Sequence, residues 1–148
     1  MIQYEYKTNT FIIKKVKSEF NSIKVQSSKD AADYARNFYF DDMLIYESFF
    51  ILCLNRNNNT TAWVKISQGG VSGTVVDVKL ISKYAIESLS SSVILIHNHP
   101  SGNKNPSESD KNITRKVKDT LSLFDCQLTD HIILTETDYT SFCDEGIL

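Results

Sequence analysis

Val93-Ile94-Leu95-Ile96-His97-Asn98-His99-Pro100-Ser101-Gly102 decides the reading of this chain. Its first four residues are an apolar run of strand length, which predicts a central strand covered on both faces. Two imidazoles two residues apart at the end of a strand point to the same side of it. Asp110 follows within Ser107-Glu108-Ser109-Asp110, beyond a turn rich in Pro and Gly. His97, His99 and Asp110 are therefore three candidate ligands for one divalent ion. Neutral imidazoles and a carboxylate suit zinc, and three protein ligands with an open position are what a catalytic zinc site needs. Ser107 can cap a helix with Asp110 three residues on, which fixes the carboxylate by backbone rather than by a loose loop.

Outward from this stretch, strands and helices alternate. Ile2 to Val16 holds two β-rich runs separated by Thr8-Asn9-Thr10, which predicts a hairpin. Ser27 or Ser28 can cap a helix, and Ala31, Tyr34, Ala35, Phe38 and Tyr39 carry its spacing through about 29–42. Glu47 to Leu54 is a strand, Asn55 to Asn59 a turn, and Thr61 to Ser67 the returning strand. Gly69, Gly70 and Gly73 mark a break. Leu80, Ile81, Tyr84, Ala85 and Leu89 predict a helix over 77–89. Ile113, Val117, Leu121 and Phe124 predict another after Ser107. Asp130 to Thr135 and Tyr139 to Phe142 read as the last strands. The alternation predicts a three-layer α/β domain.

Bulk properties narrow the class. At 148 residues, with 41% hydrophobic and 23% charged residues, the chain is long enough for a real core and ordinary for a soluble domain. A net charge of -2 gives no global pull toward nucleic acid or anionic lipid. Local clusters such as Lys111, Arg115, Lys116 and Lys118 read as a solvated face. The N-terminus has no signal-peptide pattern and no run is long enough to span a bilayer. Three cysteines, Cys53, Cys126 and Cys143, lack any CxxC spacing. A reducing cytoplasm is the simplest compartment.

His97-x-His99-Pro100, Ser107-x-x-Asp110 and the upstream Glu47 together resemble the JAMM motif of JAB/MPN-type zinc metalloproteases. His97 to Gly102 and Asp130-His131-Ile132-Ile133-Leu134 resemble its bacterial RadC-like branch most closely. The resemblance covers 28–148 and leaves 1–27 as an N-terminal extension. It implies a JAB/MPN-type mixed sheet flanked by helices, cytidine-deaminase-like in architecture. It also implies His97, His99 and Asp110 as zinc ligands, Glu47 as general base and Ser107 as support for the oxyanion. Asp130-His131 matches a recurrent pair in this branch. His131 can orient a ligand or simply support the sheet, and sheet support is the reading preferred here. Asn98 is expected to point away from the ligands.

Two departures stand out. Residues 1–27 read as strands where RadC-like proteins usually carry a helix-hairpin-helix region. Val76-Asp77-Val78-Lys79 lacks an Arg-Glu pair found in relatives. The leading expectation is a zinc-dependent hydrolase of peptide or isopeptide bonds, with a peptide or protein as substrate. The alternative is a DNA-associated protein of repair or recombination, with no proteolysis; net charge and the first departure disfavour it. A metal-stabilised interaction domain comes third. Deamination falls away because Cys126 and Cys143 are too far apart for the required cysteine pair.

Overall fold

The computed structural model describes residues 2–7, 10–15, 20–39, 43–70 and 73–148. β1 (Ile2–Lys7) and β2 (Thr10–Lys15) form an antiparallel two-stranded sheet. Turn residues 8–9 lie outside the described residues. The rest is built on a mixed five-stranded sheet. Its strands are β3 (Ser48–Leu54), β4 (Thr60–Gln68), β5 (Ser92–Asn98), β6 (Gln127–Leu134) and β7 (Tyr139–Ser141), in the order β4-β3-β5-β6-β7. β5 pairs antiparallel with β3 and parallel with β6. It is the middle strand and is buried at every position, as its continuous apolar run requires.

Helices cover both faces. α1 (Ser28–Ala35) starts at a capping box: Ser27 Oγ accepts from Asp30 N, and Asp30 Oδ2 accepts from Ser27 N at 2.9 Å. Its alanines pack on Phe50, Leu52, Leu54, Ile94, Ile96, Ile132 and Leu134. α2 (Val78–Glu87) and α3 (Glu108–Ser122) cover the opposite face, over Phe49, Ile51, Cys53, Val93 and Leu95. Odd and even positions of β3 and β5 thus feed separate cores, and the three-layer expectation holds.

The first helix ends earlier than its periodicity suggests. After Ala35 the backbone tightens into a 3-10 turn over Arg36–Phe38. The Arg36 guanidinium donates to Thr135 O, Glu136 O and Asp138 O, tying this point to the β6–β7 turn. Phe38 stacks on Trp63 at 4.5 Å, so long-range contacts override helical spacing here. Expected helical residues 40–42 lie outside the described residues. Strand β6 begins at Gln127, three residues before the expected start. Among the described residues no helix is long and apolar enough to cross a membrane.

Candidate metal centre

Strand parity puts His97 on the face covered by α2 and α3. It is the last inward residue of β5 on that face, opposite Phe49 of β3, whose ring stacks on it at 5.7 Å. The chain continues beyond the strand, and His99 N still bonds to Leu134 O at 2.9 Å. The turn at Gly102 then reverses direction; its φ of +80° is one that L side chains rarely adopt. Ser107 caps α3, and its capping box is reciprocal. Ser107 Oγ accepts from Asp110 N at 3.1 Å, while Asp110 Oδ2 accepts from Ser107 N at 2.7 Å and from Ser107 Oγ at 2.6 Å. That box orients the Asp110 carboxylate and leaves Oδ1 facing His97.

The three expected ligands converge. His97 Nε2 lies 2.9 Å from His99 Nε2 and 3.2 Å from Asp110 Oδ1. His99 Nε2 lies 3.8 Å from Asp110 Oδ2. One ligand atom from each lies within 4.8 Å of the others.

Hydrogen bonds around the site settle which ring nitrogens carry protons. His99 Nδ1 contacts Asn103 O at 2.5 Å. A carbonyl only accepts, so His99 Nδ1 bears the hydrogen and the neutral ring offers Nε2 as a lone pair. For His97 the chain is longer. Thr114 Oγ1 donates its one hydrogen to Asp110 O at 2.5 Å. It must therefore accept from His131 Nδ1, 2.6 Å away. His131 Nε2 is then an acceptor and takes the Nδ1 hydrogen of His97 at 2.8 Å. His97 Nε2 is left as a lone pair as well. Two imidazole lone pairs and a carboxylate face one another with no hydrogen between them. A proton on one ring relieves one contact, whereas a divalent cation satisfies all three. The donor set thus fits a metal ion, with N, N and O ligands of the kind zinc accepts.

Without a metal, a proton on one ring takes the place of the cation. Burial pushes the Asp110 carboxyl up, but a protonated His97 in contact with Oδ1 and the Ser107 donors outweigh it, so the group stays ionised well below the usual range. Burial, then the neighbouring His97, holds His131 neutral far below the ordinary imidazole value. A neutral ring is what the relay requires.

Glu47 and Ser107 open onto the same cleft as His99 and Asp110, a space of about 690 Å³. Glu47 directly precedes β3, two residues before Phe49, which pairs with His97. The Glu47 backbone is tied on the other side, with Glu47 N donating to Gly70 O and Gly69 N to Glu47 O. The proton of Ser107 is directed at Asp110, so contact with a substrate oxygen requires that bond to be given up. The rest of the cleft is lined by Phe49, Val75, Val76 and Ile113 with neutral polar groups from 101–109, and no Lys or Arg among the described residues lines it.

His131 is fully buried on β6, with its ring nitrogens against His97 Nδ1 and Thr114 Oγ1, so it supports the sheet and also touches a candidate ligand. Thr114 was not singled out from the sequence. Its place one turn after Asp110 in α3 is the signal that could have found it. Asn98 does point to the α1 face, as expected.

Comparison with known proteins follows the same lines. The family model of the RadC-like JAB domain matches residues 25–147. A UPF0758 protein of Flavobacterium johnsoniae is 44% identical over 124 residues, 84% of this chain and 53% of that protein. One of Porphyromonas gingivalis is 42% identical over 103 residues, 69% of this chain and 45% of its own length. One of Coprothermobacter proteolyticus is 38% identical over 128 residues, 84% of this chain and 54% of its own. The chain spans about half the length of these curated relatives, and their names assign no activity. A match that takes in the whole five-stranded sheet and the cluster of His97, His99 and Asp110 places this chain in the RadC-like JAB domain family.

Proposed function

We propose that this domain is a zinc-dependent hydrolase of peptide or isopeptide bonds. The observation that carries the reading is the cluster of His97, His99 and Asp110, with both imidazole Nε2 atoms presented as lone pairs, beside a carboxylate in the same cleft. A zinc ion held by these three would supply Lewis-acid polarisation of a carbonyl and acidify water. In this reading Glu47 accepts a proton from the water that attacks the carbonyl carbon and returns it to the departing nitrogen. Ser107 sits at the cleft wall, where its hydroxyl can turn from Asp110 toward the developing oxyanion. Val75, Val76 and Ile113 favour an uncharged, partly apolar stretch of substrate. A nucleic acid would find no basic side chain among the described residues of the cleft, which weighs against the DNA-associated alternative.

The test is incubation of the zinc-loaded protein with a mixed peptide library and an isopeptide-linked lysine library, with new termini read by mass spectrometry. Cleavage should occur, stop with a chelator and fall at least a hundredfold in Glu47→Gln. Absence of cleavage by the zinc-loaded wild type, or cleavage undiminished in Glu47→Gln, would overturn the reading.

A further inference from the structure

Asn98 lies between the two histidine ligands in sequence but on the opposite face of β5, and it is fully buried there. Its carboxamide makes three hydrogen bonds, all to the backbone of one short segment. Oδ1 accepts from Ser48 N at 2.8 Å, and Nδ2 donates to Met43 O at 2.9 Å and to Tyr46 O at 2.8 Å. An amide N–H only donates and a carbonyl only accepts, so the orientation of the side chain is unambiguous. Tyr39 adds a fourth tie by donating to Ser48 O at 2.9 Å.

The segment needs these ties. Leu44, Ile45 and Tyr46 are 56%, 50% and 40% exposed, so little apolar burial holds them down. Glu47 follows directly, with Tyr46 and Ser48 both anchored to Asn98 on either side of it. We propose that Asn98 is a positioning residue for Glu47: its carboxamide pins the 43–48 segment and thereby sets the Glu47 carboxylate in the cleft. The proposal rests on the reading of Glu47 as the general base. Neither Asp nor Ala reproduces this pattern. Asp would turn a carboxylate toward the carbonyls of Met43 and Tyr46. Ala would leave the buried Ser48 N–H without Oδ1. Because Asn98 and His97 are neighbours on one strand, the group that holds the base and the group that holds the metal move together.

The experiment compares wild type with Asn98→Ala and Asn98→Asp in two readouts that need no turnover. The first is amide hydrogen exchange. Residues 43–48 should exchange at least tenfold faster in Asn98→Ala, with residues 92–97 and 127–134 changed less than twofold. Asn98→Asp keeps the acceptor for Ser48 N and should release chiefly Met43 to Tyr46. It also serves if the alanine variant fails to fold. The second loads cobalt(II) into protein carrying carbon-13 in its glutamate carboxyls. The Glu47 signal should be strongly displaced by cobalt in wild type and lose at least half of that displacement in either variant, with cobalt affinity within threefold. Unchanged exchange at 43–48, or a fully retained displacement of Glu47 in both variants, overturns the proposal. A wild-type Glu47 signal indifferent to bound cobalt sinks the general-base reading instead, while the exchange data still decide whether Asn98 holds the segment.

Discussion

His131 Nε2 takes the Nδ1 hydrogen of His97 at 2.8 Å, and this bond determines which nitrogen of the ligand faces the cluster. Replacing His131 by Phe keeps an aromatic ring beside Phe142 but leaves the His97 hydrogen without its acceptor. Zinc affinity, read by competition with a coloured chelator, should fall about 10- to 100-fold. Thr114→Val removes the far end of the relay and should act in the same direction with a smaller effect. Unchanged affinity in both variants would show that the relay does not govern ligation.

Ion binding should also appear as stability. A ligand present at about a thousand times its Kd stabilises by about 4 kcal/mol, worth about 10 °C in the Tm of a domain this size. Zinc should therefore raise the Tm of the chelator-treated protein by about that amount. His97→Ala, His99→Ala and Asp110→Ala should each lose the increment, measured by scanning calorimetry with and without the metal.

Glu47→Gln tests the opposite behaviour. Removing a general base typically costs about 10²- to 10⁴-fold in rate. Because Glu47 is not among the three clustered ligands, zinc content measured by elemental analysis should stay at the wild-type level. Loss of zinc together with activity would mean that Glu47 acts as a ligand.

Ser107→Ala separates folding from chemistry. The helix loses its N-cap, a cost of about 1 kcal/mol in denaturant unfolding. Asp110 loses two of its three Ser107 contacts, so its carboxylate is less well aimed and zinc affinity should drop in parallel. A variant as stable as wild type, with unchanged affinity, would contradict the orienting role of the capping box.

The buried His131 also sets a pH dependence for the metal-free protein. Its folded pKa lies below its unfolded value of 6.5, so the unfolded chain binds the extra proton first. Its contribution is fully present above pH 6.5 and is lost as pH falls below it, by up to about 1.4 kcal/mol per pH unit. Asp130 has the opposite sign, because burial raises its folded pKa above the ordinary carboxylate value of 3.8. Its protonation in the folded state stabilises as pH falls toward that value. Urea unfolding between pH 8 and 5.5 should show stability declining below about pH 6.5, with a shallower slope in His131→Phe. Parallel slopes in the two proteins would remove His131 as the cause.

Much of this molecule could be read from the chain because its strongest signals are local. A run of four apolar residues ending in His97 specifies a doubly covered strand. Ser107 and Asp110 specify a helix start that carries a candidate ligand with it. The end of α1 was not legible, since it depends on Arg36 reaching carbonyls about a hundred residues away. The contact of Thr114 was hidden for a similar reason, and His131 was legible only as one of two readings. Nothing near either in sequence says that α3 and β6 lie side by side with a ring nitrogen 2.6 Å from a hydroxyl. Asn98 was legible in direction but not in purpose, because its partners belong to a segment some fifty residues earlier.

The alternation of His97 and Asn98 on β5 makes its reading frame a single point of failure. Shifting that strand by one residue would bring a carboxamide to the α3 side and an imidazole to the α1 side. The candidate ligand cluster and the proposed anchor for Glu47 would be lost in the same event. Substitutions can wear down either half by degrees, whereas a one-residue insertion or deletion between Ser92 and Asn98 has no partial outcome.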